Sequence, residues 1–173
     1  MKPEIFMDDF ERTLYGDNLY SIIGRALTIS SRFEATCKSF NALIHVKSES
    51  INLEPEEEIQ KKVDKMHKLP LAKHICEITG DFKCLFKILD EARKARNEIA
   101  HEITLDLDQC IDSIPKDAIM YLKSRLQELI EIIAEADKII SNLISKLTND
   151  PLPNSDFLKA YSNRIKHWVM DVD

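Results

Sequence analysis

Arg93, Arg96, Asn97 and His101 crowd into one short stretch, Ala92-Arg93-Lys94-Ala95-Arg96-Asn97-Glu98-Ile99-Ala100-His101. Their side chains suit phosphate chemistry. A guanidinium presents a planar fork of N–H donors that matches phosphate oxygens. An imidazole exchanges a proton near neutral pH. Together, one group can stabilise charge on a phosphodiester while the other moves protons. Asn97 and His101 are four apart and share a helix face, and Arg93, four before Asn97, extends that face by a turn. Arg96 and His101 are five apart, about 140° around a regular helix at ~100° per residue, and the Arg side chain is long enough to swing toward the imidazole despite that angle. One straight helix presents that pair awkwardly to a single phosphate, so two facing helices would combine them more easily.

The element that carries these residues reads as a helix over about 82–104. Phe82, Leu85, Leu89, Ala92, Arg96, Ile99 and Ile103 alternate at three and four residues, and only Arg96 is not apolar. An unpaired guanidinium in a dry core costs several kcal/mol, of order 3–5. Arg96 is therefore expected either to meet a buried acid or to open into a polar cleft.

Further helices are expected around it. The first runs over about 17–46, with Leu19, Ile22, Ile23, Ala26, Phe33, Cys37, Phe40 and Ile44 on one stripe, and Gly24 marks a close helix crossing. Residues 1–16 form an arm carrying Phe6, Phe10, Leu14 and Tyr15, and 47–54 read as a loop. Pro55 with Glu56, Glu57 and Glu58 opens a second helix, which ends near Lys68 before Pro70. A short segment, 71–79, closes at Gly80 as a C-cap, and Asp81 caps the helix that follows. Residues 105–114 connect to the longest helix, about 115–147. The breaker Asp150-Pro151-Leu152-Pro153 precedes an accessory helix within 154–173. Short polar connections imply antiparallel neighbours, hence an all-α, up-and-down bundle of long antiparallel helices in a single domain, 1–173. At ~1.5 Å per residue the longest helix spans about 48 Å, more than a small bundle needs, and its free length is expected to pair with a second subunit.

Composition narrows the function classes. Hydrophobic residues make up 44% and charged residues 31% of 173, as in a globular chain, and the 3 glycines are too few for a turn-rich fold. The net charge of −6 excludes coating duplex DNA through the whole surface, so any nucleic-acid contact must use a local positive patch. Cys37, Cys76, Cys84 and Cys110 form no C-x-x-C and sit among apolar residues, which reads as four small buried thiols in a reducing, cytoplasmic setting. Met1-Lys2-Pro3-Glu4 leads into acids and not into an apolar run, so no secretory signal is expected. No apolar stretch approaches the ~18 residues of a membrane span.

The segment Ala95-Arg96-Asn97-Glu98-Ile99-Ala100-His101-Glu102 resembles the R-x(4–6)-H signature of the HEPN superfamily, in the form with a polar residue after the Arg. The order of a long first helix, a motif helix in mid-chain and a long helix after it is also similar, over about residues 17–147. The resemblance implies a small helical bundle that dimerises through the motif helix. It further implies a metal-independent endoribonuclease of a toxin–antitoxin, phage-defence or RNA-processing system. In those terms Arg96 and His101 are the catalytic pair and Asn97 orients them. Arg93 assists substrate binding, and Glu34 is the acidic residue contributed by the first helix. The partners implied are an RNA substrate, a second copy of the chain and an antitoxin protein, with no cofactor, no metal and no membrane. Where some toxin members carry a modifiable Tyr after the His, this chain has Thr104, which speaks against that regulation.

Two other readings compete. A non-catalytic helical dimer that binds a protein or nucleotide suits the acidic charge and the sparse aromatics. A di-iron carboxylate bundle would draw on Glu98-x-x-His101 with Glu34, Glu128, Glu131 and Glu135. Such a site needs two E-x-x-H pairs, and Asp64-x-x-His67 is a poor second. His45, His67, His74 and His167 share no metal spacing and read as surface or core residues.

Overall fold

The computed structural model describes residues 12–51, 55–103 and 111–170. Phe6, Phe10, Thr104 and Cys110 lie outside them. Among the described residues every regular element is helical: α1 (Leu14–Ile51), α2 (Glu56–His67), α3 (Leu71–Asp81), α4 (Phe86–Asn97), α5 (Lys116–Thr148) and α6 (Ser155–Met170). Three short turns complete the set, 3-10 turns at Lys83–Leu85 and Ile111–Ser113 and a π turn at Glu98–Glu102.

The helix ends follow local chemistry. α2 carries Glu56, Glu57 and Glu58 in its first turn and Lys65 and His67 in its last, matching both poles of the helix dipole. α5 stops at Asn149, which takes φ 58°, the left-handed conformation that Asn tolerates. Several expected boundaries move. α1 runs from Leu14 through Ile51, because no Pro or Gly interrupts Lys47-Ser48-Glu49-Ser50, so it absorbs part of the arm and most of the loop. Gly80 is not a cap: it lies inside α3, with no positive φ, and the chain turns at Phe82 (φ −124°, ψ 63°). Gly24 marks no crossing, since a Cβ there would meet nothing within 4 Å. Gly16 is the close approach. A Cβ at Gly16 would lie 2.1 Å from Asp112 Oδ1, the atom that accepts hydrogen bonds from the Thr13 amide (2.7 Å) and hydroxyl (2.8 Å) at the start of α1.

Side-chain pairs fix the helix directions. Asn18 meets Lys123, Arg32 meets Asp137, and Lys47 reaches the Leu147 carbonyl, so α1 and α5 run parallel. Phe40 packs on Phe82 and Glu34 pairs with Arg96, so α4 runs back along α1. Lys166 pairs with Glu131 and Tyr161 with Asp137, so α6 returns along α5. The expectation of long antiparallel helices is corrected for the two longest. The whole of α2–α4 intervenes between them, and α4 uses up the reversal. The buried residues of α5 run from Ile119 to Ile140, and the helix packs against α1, α4 and α6.

The core lies between α1, α4 and α5 and is built from Leu19, Ile22, Phe33, Phe40, Leu89, Leu126, Ile130, Ile133 and Ile140, all at most 1% exposed. α3 adds Ile75 and Ile78 at one end. A buried polar knot ties α6 down: Asp137 accepts from Arg32 Nε (3.1 Å) and from the Tyr161 hydroxyl. Burial, followed by Asp137, pushes the Tyr161 phenol up to about 12. Of the thiols, Cys37 is buried, and that burial pushes its pKa well up, so the thiol holds its proton. Cys76 and Cys84 are exposed, against expectation, because each sits on the outer face of its turn.

Phe33 is fully enclosed. Phe33→Ala should lower unfolding stability by about 3–5 kcal/mol in urea denaturation. A loss under about 1 kcal/mol would mean that this core is not close-packed.

Candidate functional site

The motif helix is not a uniform α-helix. It is α-helical to Asn97, and the next turn is closed by the Ile103 amide on the Glu98 carbonyl (2.8 Å), an i→i+5 bond. Such π turns are rare and recur at functional sites. The extra residue changes the phase of everything after it. Arg96 Nη1 lies 3.4 Å from His101 Nε2, so the two head groups meet on a single chain. The Arg96 side chain spans the offset expected of the two positions, so the pair meets without a second, facing helix.

Burial on the seam also differs from expectation. Leu89, Ala92, Ala95 and Ile99 are the buried positions, and Arg96 stands at the edge with its side chain 25% exposed. Small Ala95 takes the core position, which lets the neighbouring guanidinium reach the rim. The required anion is Glu34 of α1: Arg96 Nη2 donates to Glu34 Oε2 at 2.6 Å. Nη1 also donates to Asn97 Oδ1 at 3.2 Å. A guanidinium only donates, so its contact with His101 requires a lone pair on Nε2. Three of the five guanidinium N–H groups are used by Glu34, Asn97 and His101, which leaves two for an incoming anion.

Glu34 is held from a second side by Lys38 Nζ, 2.8 Å from Oε1 and one turn along α1. Partial burial works against its charge, but Lys38 and Arg96 together outweigh that and hold the carboxyl below its ordinary value of 4.5. The structure thus gathers Glu34, Arg96, Asn97 and His101 in one cluster, open to solvent at His101. It does not draw Arg93 into that cluster: Asp90, a turn earlier, accepts from Arg93 Nε (2.9 Å) and Nη2 (2.8 Å). Lys38 was legible as an i,i+4 partner of Glu34 but was missed.

Glu98 faces α5, where Arg125 grips both carboxylate oxygens at 2.6 and 2.7 Å and also donates to Glu128 at 2.8 Å. No spacing in the sequence points to Arg125. The carboxylates that a di-iron centre would need are therefore engaged elsewhere, Glu131 by Lys166 (2.9 Å) and Glu135 by Lys138 (2.6 Å). Among the described residues no three His, Cys, Asp or Glu side chains converge as metal ligands. His74 is buried in α3, with Nδ1 3.1 Å from Asn41 Nδ2, and burial lowers its basicity, as for a core residue. Among the described residues no helix is long and apolar enough to cross a membrane.

A carboxylate whose native acidity is strengthened stabilises the fold above its unfolded pKa, and that share is lost as pH falls through the native value. Glu34→Gln should therefore remove part of the stability lost below about pH 4.5, read as a shallower acid limb in thermal melts from pH 6 to 3. Superimposable acid limbs for the two proteins would show that the ion pair is not formed in solution.

Set against known protein families, curated proteins and solved structures, the chain matches none of them, so its chemistry must be argued from this cluster.

Proposed function

We propose that the chain is a metal-independent endoribonuclease built on an up-and-down, HEPN-like helical bundle, acting in the cytoplasm in a toxin or phage-defence setting. The observation that carries this reading is the 3.4 Å approach of Arg96 Nη1 to His101 Nε2 beside the Glu34 anchor. RNA is the substrate class because the available groups need a nucleophile, and the ribose 2′-hydroxyl supplies one. His101 Nε2 takes the 2′-hydroxyl proton, and the 2′-oxygen forms a bond to phosphorus. The 5′-oxygen leaves with a proton returned by an imidazolium, its donor being the partner copy's motif or the same ring after exchange. Arg96 stabilises the charge that builds on the phosphoryl oxygens, and Asn97 and Glu34 fix its orientation. The products are a 2′,3′-cyclic phosphate and a 5′-hydroxyl. A homodimer through the motif helix and an antitoxin partner belong to this reading through the HEPN resemblance.

The binding-module reading is favoured by the net charge of −6, which repels a polyanion from most of the surface. The two separate on one assay, cleavage of single-stranded RNA in EDTA, with solution mass measured in parallel. Wild type should cleave, His101→Ala should lose detectable cleavage, and Arg96→Ala should fall by about 10²–10³-fold, as for loss of one transition-state donor. A folded, dimeric wild type that leaves RNA intact would establish the binding module instead.

A further inference from the structure

Between the π turn that carries His101 and the start of α5 is a cavity of about 320 Å³. Its walls are of two kinds. Ile103 and Leu122 give an apolar floor, and Tyr121 stands at the mouth with 71% of its surface exposed. Glu98, Glu102 and Arg125 supply the polar wall. Of these, Arg125 and Glu98 are locked in their bidentate pair. The Glu102 carboxylate is exposed, and among the described residues no ion pair or hydrogen bond claims it.

We infer that this cavity is a subsite for a guanine base of the RNA, stacked on Tyr121 and hydrogen-bonded by Glu102. The inference rests on the ribonuclease reading and adds its base preference. A flat base stacks on a phenol ring or on a guanidinium plane, and the bidentate pair with Glu98 holds the plane of Arg125 fixed. Base identity follows from Glu102. A carboxylate only accepts. Guanine is the one RNA base whose Watson–Crick edge sets two donors side by side, N1–H and N2–H, to match its two oxygens. Adenine and cytosine offer one amino group beside an acceptor, and uracil flanks its N–H with two carbonyl oxygens that a carboxylate repels.

Position fits the chemistry as well. Glu102 follows His101 directly, one Cα–Cα step of about 3.8 Å. The cavity wall and the imidazole are thus carried by neighbouring residues of one turn. The acidic rim also explains a division of labour: phosphate is drawn to Arg96, and only an uncharged, donor-bearing group suits the neighbouring space.

The test uses the full chain and two readouts. In the first, 5′-GMP and 5′-UMP are titrated by NMR chemical shift. GMP should bind at least about 10-fold more tightly, and Tyr121→Ala should weaken it about 5–100-fold, the range for losing one base–aromatic stack. Glu102→Gln should bring GMP and UMP to within about 3-fold, with circular dichroism unchanged. Equal affinities, no binding by wild type, or full GMP affinity in Tyr121→Ala would each overturn the subsite. In the second, cleavage sites on a mixed-sequence RNA are mapped in EDTA, and wild type should cut next to G while Glu102→Gln should lose that bias. GMP selectivity without any RNA cleavage would uphold the base site and sink the nuclease reading. Cleavage without base preference would do the reverse.

Discussion

A cation at the edge of an apolar seam must be given an anion, and the geometry of this molecule is organised around the one that Arg96 receives. Glu34 comes from a different helix, 62 positions earlier, and meets the guanidinium at 2.6 Å. For that contact α4 must run back along α1 at a fixed register, which Phe40 against Phe82 sets at the other end. Lys38 completes the pairing on the α1 side. The three groups are only a fifth to a quarter exposed. Removing Glu34 would leave two cations without their anion in a half-dry place, where such charges cost most.

The π turn is the second constraint. Inserting one residue into the helical repeat does two things at once. It keeps Ile99 in the core while rotating His101 toward Arg96. The turn begins at Glu98, which faces α5, where Arg125 takes both carboxylate oxygens. That bidentate pair braces the widened turn against α5. Local irregularity of this kind persists only when surrounding contacts hold it. Here the brace on one side and the Glu34 anchor on the other do so.

The polar features divide between two faces of α1. Glu34 and Lys38 serve the motif helix. Arg32 reaches Asp137 and, through it, Tyr161 of α6. Two residues of difference in sequence are about 200° of rotation on a helix, so one helix carries both a chemical cluster and a structural pin without cross-talk.

The all-α class, the extents of α5 and α6 and the suspicion attached to Arg96, Asn97, His101 and Glu34 were readable in the sequence, because apolar spacing, prolines and residue chemistry are local signals. The parallel packing of α1 and α5 was not readable, since it depends on how many reversals the intervening segments use. The exposure of Cys76 and Cys84 was not readable either, since an apolar neighbourhood in sequence does not say which face of a turn looks outward. Nor was the exchange of Ala95 for Arg96 on the seam, or the π turn that carries His101. The first follows from how α4 is rotated against the core, and the π turn beyond it, braced by Glu98 on Arg125 and by Ile99 in the core, is announced by no residue pattern. The sequence determined which groups could do chemistry. Tertiary structure decided that they meet, because Glu34 reaches Arg96 only through the packing of α4 on α1.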